Sequence, residues 1–235
     1  MSIFAVLRRA ATALIVLALT GVLAPALGQD SPRPRVEPVD ENATDTSWLS
    51  FRKRLHAAIA KRDRKFILSI LDRNVRNQTE ETRGIAEFRK QWDLEGNDSP
   101  LWQELSAALS LGGAWMKHES GQREFCAPYV LPRWPDDVDP VGHGVILVKE
   151  ALIQEAPSAF SPVIARLAFD IVPVIDWDVP DNATDVKQRW VLIRLGERRG
   201  FVPEEHIRSP IEHSACFVKS GSNWRMTGFG PAGGE

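Results

Sequence analysis

The chain has 235 residues, of which 43% are hydrophobic and 26% charged, and this is the composition of an ordinary globular protein. Its formal net charge of −2 at pH 7 excludes the globally basic surface that binds the phosphate backbone of nucleic acids. We therefore expect one or two small domains and no nucleic-acid partner.

Residues 1–28 have the three-part pattern of a secretory signal peptide. Arg8 and Arg9 form a basic start, an apolar stretch follows, and small residues precede an expected cleavage site before Gln29. An uncleaved membrane anchor is the alternative, because the apolar stretch approaches the length that spans a bilayer. Cleavage removes two arginines and no acid, so the formal net charge falls from −2 to −4. We expect export to the periplasm or the extracellular space, with no membrane span after cleavage.

Residues 29–46 are rich in Pro, Asp, Glu and Asn, which predicts a flexible linker that cannot bury enough apolar surface to fold. Residues 47–118 then show helical periodicity and predict a helical domain. Four helices are expected: one led by the stripe Trp48, Phe51, Leu55, Ala58 and Ile59, one near 63–73, one at 85–92, and one between Ser99 and Gly112. The basic residues near 52–65 are interpreted as a solvated helix face, with contact to anionic lipid as the alternative.

After a connecting segment at 119–142, residues 143–208 change to short strands and tight turns. A hairpin is expected at 197–200, where Gly200 can take a positive φ. Residues 176–189 predict a long acidic hairpin tip with Trp177 at its base. Such loops concentrate function, but they also tolerate insertions.

Residues 151–207 resemble a bacterial SH3-like (SH3b) domain. The resemblance is carried by the stretch "ALIQEAPSAFSPVIARL", by Trp190 with Ile193, and by Gly200-Phe201-Val202 before a closing short helix. Gln154 and Ala156 replace the Arg and Gly that the family usually has, and Phe201 replaces a Trp. The resemblance implies a small β-barrel at 143–208 that acts as a binding module.

Residues 209–235 predict a C-terminal hairpin and tail. The expected fold class is α+β: an N-terminal helical domain followed by a small SH3-like β-barrel and a C-terminal β-hairpin. The helical front and the Trp-led last strand also resemble NTF2-like folds. That resemblance implies an alternative fold, in which the barrel is inserted into an NTF2-like domain.

Cys126 and Cys216 are the two cysteines of the chain, and in an oxidising compartment an even pair is expected to form a disulfide. The alternative makes Cys126 the nucleophile of a cysteine hydrolase, but "EFCAPYV" lacks the helix start that lowers a thiol pKa. His143, His206 and His213 lack metal-ligand spacing, so no metal and no cofactor are expected.

Four aromatic residues are the candidate ligand-binding side chains: Trp177, Trp190, Phe201 and Tyr129. For Trp177 the alternative is packing over the barrel edge, while Trp190 and Phe201 are interpreted as mainly structural. The predicted function is that of an exported, non-enzymatic cell-envelope protein. Its expected partner is a peptide, a peptidoglycan fragment or another envelope protein. The alternatives are an envelope hydrolase that uses Cys126 and a purely structural assembly protein.

Overall fold

The computed structural model describes residues 33–77, 83–117, 121–182, 188–221 and 223–232. The predicted signal peptide at 1–28 lies outside the described residues. The described residues belong to one compact unit. No helix within this described part of the chain is long and apolar enough to cross a bilayer.

The described residues form four α-helices, twelve β-strands and one short 3-10 helix, Glu204–His206. The helices are α1 Thr46–Ala60, α2 Arg64–Ile70, α3 Ile85–Gln91 and α4 Leu101–Leu109. The first six strands are β1 Leu71–Arg76, β2 Ala114–Lys117, β3 Arg123–Ala127, β4 His143–Ile146, β5 Ala151–Gln154 and β6 Val163–Leu167. The other six are β7 Ile171–Pro180, β8 Arg189–Leu195, β9 Arg198–Pro203, β10 Ile207–Arg208, β11 His213–Ser220 and β12 Asn223–Pro231.

Helix α1 begins where Asp45 caps it. The Asp45 carboxylate accepts hydrogen bonds from the backbone amides of Ser47, at 2.8 Å, and Trp48, at 3.1 Å. The helix then buries the predicted stripe of Trp48, Phe51, Leu55, Ala58 and Ile59. The face that periodicity predicted is therefore confirmed, and it points into the core.

The second predicted helix, near 63–73, ends earlier than expected. Helix α2 stops at Ile70, and the chain continues directly as strand β1, which pairs in parallel with β12. Leu71 lies opposite Met226 in that pairing, although the two residues are far apart in the sequence. Pairing with a distant strand thus overrides the local helical pattern.

The first sheet has the strand order β1-β12-β11-β3-β2, and all four helices share its core. The ring centroid of Trp48 lies 4.6 Å from that of Phe125 on β3 and 4.9 Å from that of Trp224 on β12. The predicted order of a helical domain, a barrel and a separate C-terminal hairpin is therefore wrong. The helices have no core of their own, because the strands that cover them include the C-terminal hairpin. The described residues contain more β-strand than α-helix.

The strands of the second sheet lie between β3 and β11 in the sequence, and the sheet has the order β10-β4-β7-β8-β9-β5-β6. Alternate residues of β8, namely Val191, Ile193 and Leu195, lie in its buried cluster. These aliphatic side chains belong to the hydrophobic core of the second sheet. Trp190 is buried but belongs to none of the clusters that the described residues form.

The two residues at the tip of the β8–β9 hairpin are Gly196 and Glu197, so the turn spans 195–198 and lies two residues before the predicted 197–200. Leu195 lies opposite Arg198, and Gly196 takes the positive φ of 60°. Gly200 has another role, because a Cβ at this position would lie 2.5 Å from the Ile153 Cγ2 atom. Its missing side chain lets β9 lie close to β5.

The segment predicted to be a flexible linker, 29–46, is ordered in its described part. The Val36 amide donates to the Phe169 carbonyl at 3.0 Å, and the Glu41 amide donates to the Gly113 carbonyl at 2.9 Å. Val36 is 3% exposed and packs with Tyr129. The polar composition suggested a tether, but the segment gains its order from backbone hydrogen bonds that composition does not reveal.

Candidate functional site

The C-terminal end of α4 meets the second sheet at a cleft of about 550 Å³, here called the junction cleft. Its apolar lining consists of Ala107, Leu111, Leu147, Trp177, Ile207 and Ile211. Its polar lining consists of Ser110, Glu204, Glu205, Arg208, Ser209 and Glu212. A concave surface with aliphatic and aromatic walls and a few polar groups is the usual form of a ligand site.

Trp177 is the aromatic residue of the junction cleft. It lies within strand β7, not in a loop, because β7 continues to Pro180 and shortens the predicted tip at 176–189 to residues 181–188. Residues 183–187 of that tip lie outside the described residues. The side chain is partly buried against the second-sheet cluster. Trp177 therefore packs against the sheet, as the packing alternative predicted, and it also lines the cleft, while its contact with a ligand stays a prediction.

The charged residues of the cleft lining have a net negative charge, since they comprise three glutamates and one arginine. Arg208 Nη1 lies 3.0 Å from the Glu212 carboxylate, and its Nη2 donates to the His213 carbonyl at 2.7 Å. The charge of Arg208 is thus matched by Glu212. Among the described residues, Glu204 and Glu205 have no lysine or arginine partner, and Glu205 lies 3.9 Å from the His206 ring.

Burial raises the pKa of the Glu212 carboxyl, while Arg208 and the Ser209 amide oppose this shift. Glu104 and Glu204 add to the rise, so their negative charges act on the same carboxylate. Because 43% of the Glu212 side chain is exposed, solvent screens these interactions. The cleft mouth therefore has a local excess of negative charge.

The other predicted ligand-binding residues lie away from the junction cleft. Tyr129 and Trp190 are each 1% exposed, which places their rings inside the protein. Trp190 Nε1 donates a 2.7 Å hydrogen bond to Asp181, and this bond anchors the ring. Phe201 is partly buried on β9 and does not line the cleft. Of the four predicted aromatics, the cleft contains Trp177 alone.

Cys126 and Cys216 form the predicted disulfide, which closes a sequence separation of 90 residues. They are register partners on β3 and β11, the two strands between which the second sheet is inserted. Cys126 is fully buried. A sulfur atom held in a buried disulfide is not a thiolate nucleophile.

Within the described residues, one group of potential metal ligands comes together: Glu124, Cys126 and Cys216. The two sulfur atoms of this group are bonded to each other, so they are not available as thiolate ligands.

Sequence reasoning missed most of the cleft-lining residues. Glu204 and Glu205 stand next to Pro203 in a short 3-10 helix, and their adjacency was visible in the sequence. Nothing in the local sequence, however, shows that Leu111 at the end of α4 lies beside them. The cleft exists because four separate chain segments meet there, at 107–111, 147, 177 and 204–212.

No family model, no curated protein and no solved structure matches this chain. The function therefore has to be inferred from the residues of the cleft and from the patterns in the sequence.

Proposed function

We propose that this protein is an exported, non-enzymatic binding protein of the cell envelope and that the junction cleft is its ligand site. The observation that carries the proposal is the position of Trp177, which lies half-buried in a cleft between the C-terminal end of α4 and the second sheet. The partner is a cell-wall peptide, a glycan-peptide or a segment of an envelope protein.

The size and lining of the cleft support a role in binding. A volume of about 550 Å³ lies within the range of about 300–1,000 Å³ that is typical of ligand sites. Tryptophan is enriched among the residues that contribute most to binding energy, because it buries a large rigid surface. The end of α4, strands β7 and β10 and the short 3-10 helix supply walls of the cleft, so the ligand would contact regular elements of the fold.

An SH3-like module at 143–208 remains part of the proposal. The closing short helix that this resemblance implies corresponds to the 3-10 helix Glu204–His206. The strand β10 that follows it returns to pair with β4, so the segment's two ends meet. Glu204 and Glu205 thus occupy the closing turn of the proposed module.

Export is supported by the disulfide together with the signal-peptide pattern. Structural disulfides persist in oxidising compartments and are rare in the cytosol. The rival hydrolase would need a thiolate at Cys126, and that sulfur lies in a buried disulfide. The binding role is therefore the better supported of the two.

Retention on envelope material tests the proposal. The protein is expressed with its own N-terminal segment, purified, and incubated with peptidoglycan and envelope extract. We expect Trp177→Ala to weaken retention by about tenfold or more. Phe160→Ala is the matched control, because this aromatic side chain is 92% exposed and does not line the cleft.

Circular dichroism and a melting curve confirm that both variants are folded. If Trp177→Ala is retained like the unaltered protein, or if only Phe160→Ala loses retention, the junction cleft is not the binding site.

A further inference from the structure

We propose that the junction cleft selects a cationic side chain with an aliphatic stem, of the lysine or arginine type. This inference rests on the proposed binding role of the cleft and specifies the chemistry of its ligand.

The first argument is uncompensated negative charge. Glu204 and Glu205 are both exposed residues that line the cleft, and neither pairs with a lysine or arginine among the described residues. Glu204 also lies near enough to act electrostatically on Glu212. A positive charge placed between these carboxylates would relieve their mutual repulsion.

The second argument disfavours an anionic ligand. Arg208 is the cation of the cleft lining, and its side chain is only 11% exposed. Glu212 and the His213 carbonyl already occupy two of its nitrogen atoms. Both terminal nitrogens of the guanidinium are therefore paired within the protein, its Nε is buried without a partner among the described residues, and an incoming carboxylate or phosphate would meet the glutamates.

The third argument concerns the walls. Leu111, Ile207 and Ile211 provide aliphatic surface against which the methylene groups of a long side chain can pack. Trp177 provides an aromatic face, and a Lys or Arg cation over a tryptophan ring is stabilised by the ring quadrupole. An inorganic cation would gain little from contact with the aliphatic walls or the Trp177 ring. An organic cation with an aliphatic stem therefore fits the complete lining better.

The test uses three capped tripeptides with Lys, norleucine or Glu between two alanines. Norleucine keeps an aliphatic chain and lacks the charge. Binding to the full protein is measured by calorimetry at low salt. We expect the Lys peptide to bind about tenfold or more tightly than the norleucine peptide, and the Glu peptide to bind least.

Two variants test whether the preference for the Lys peptide arises in the junction cleft. Replacing both Glu204 and Glu205 by Gln should reduce Lys-peptide affinity to the norleucine level while leaving norleucine affinity unchanged. Trp177→Ala should weaken both peptides. Glu197→Gln is the matched control, because this exposed glutamate lies in the β8–β9 turn, outside the cleft lining.

Equal binding of the Lys and norleucine peptides, with both sensitive to Trp177→Ala, would overturn the cation preference and leave the proposed binding site standing. Tighter binding of the Glu peptide, or displacement of the Lys peptide by equimolar Ca²⁺, would also overturn it. If no tripeptide binds, the inference fails. The proposed function fails with it only if Trp177→Ala also leaves envelope retention unchanged.

Discussion

Gly144 lies directly against Trp177. A Cβ at position 144 would come within 2.8 Å of the Trp177 Cη2 atom and within 2.9 Å of the Ile207 Cγ1 atom. Both neighbours line the junction cleft. The absence of a side chain at position 144 of β4 therefore determines how deeply the side chains of Trp177 and Ile207 lie in the cleft.

Gly144→Ala should disturb the cleft as well as the fold. The added methyl forces Trp177 or Ile207 to move, and overpacking of this kind costs about 1–3 kcal/mol. We expect a lower melting temperature, a changed tryptophan near-ultraviolet circular dichroism signal, and weaker retention on envelope material. Gly142→Ala is the control, because the nearest atom to its added Cβ is the movable Asp139 carboxylate, at 3.1 Å. Equal melting temperatures for the two variants would contradict the packing described here.

Glu124 and Arg76 form a buried ion pair on the first sheet. Arg76 Nη1 and Nη2 donate to the two Glu124 carboxylate oxygens at 3.1 and 2.5 Å, and the Glu124 side chain is 4% exposed. Breaking a buried pair leaves an uncompensated charge, so Glu124→Gln should lower the free energy of unfolding by about 3 kcal/mol. Urea titration measures this loss.

The control for that titration is Glu150→Gln. Glu150 pairs with Arg166 at the surface, where both side chains are more than half exposed. Surface pairs contribute about 0–1 kcal/mol, so this variant should unfold nearly as the unaltered protein does. Similar losses of unfolding free energy in Glu124→Gln and Glu150→Gln would show that burial does not determine how strongly the Arg76–Glu124 pair stabilises the protein.

Local patterns in the sequence predicted individual elements of the fold, but not how they are arranged. The buried stripe of α1 and the alternation in β8 follow directly from side-chain periodicity. The assignment of β1 failed because it pairs with β12, a strand far away in the sequence. Periodicity reports which face of an element is apolar, and it does not report which partner covers that face.

The candidate site was predictable only in part, for the same reason. Trp177 was identified as a candidate, since a tryptophan near an acidic segment is conspicuous in the sequence. Its cleft neighbours Leu111 and Ile211 come from outside the second sheet, and only the folded chain brings them to Trp177. Tyr129 was proposed as a ligand contact, but Val36 from the supposed linker packs with it.

The disulfide should contribute substantially to stability. It closes a loop across a sequence separation of 90 residues that includes the whole second sheet. The chain-entropy model assigns about 4.6 kcal/mol to a loop of this length. The double variant Cys126→Ala, Cys216→Ala should lose about this amount in urea titration, and dithiothreitol should destabilise the unaltered protein but not the variant. An unaltered unfolding midpoint in the double variant would contradict this account.

Tyr129 offers a pH test, because it is the single tyrosine of the chain. Burial raises the pKa of its phenol from 10.0 to about 12. The folded state therefore holds this proton more tightly than the unfolded state, so its contribution makes stability fall as the pH rises from 10.0 to about 12. Ultraviolet absorbance should show phenolate near pH 12 in the folded protein and near pH 10 in urea. Tyr129→Phe is the blank, and a folded-state transition near pH 10 would contradict the burial of this ring.

The most direct test of the junction cleft is an NMR titration of isoleucine methyl groups with soluble peptidoglycan fragments. Ile207 and Ile211 line the cleft, whereas Ile175 is 40% exposed and does not line it, and Ile67 lies in the core of the first sheet. We predict that the Ile207 and Ile211 signals shift on addition of ligand, that Ile175 and Ile67 do not, and that Trp177→Ala abolishes the shifts. Shifts centred on Ile175, with Ile207 and Ile211 unchanged, would contradict the assignment of the ligand site to this cleft.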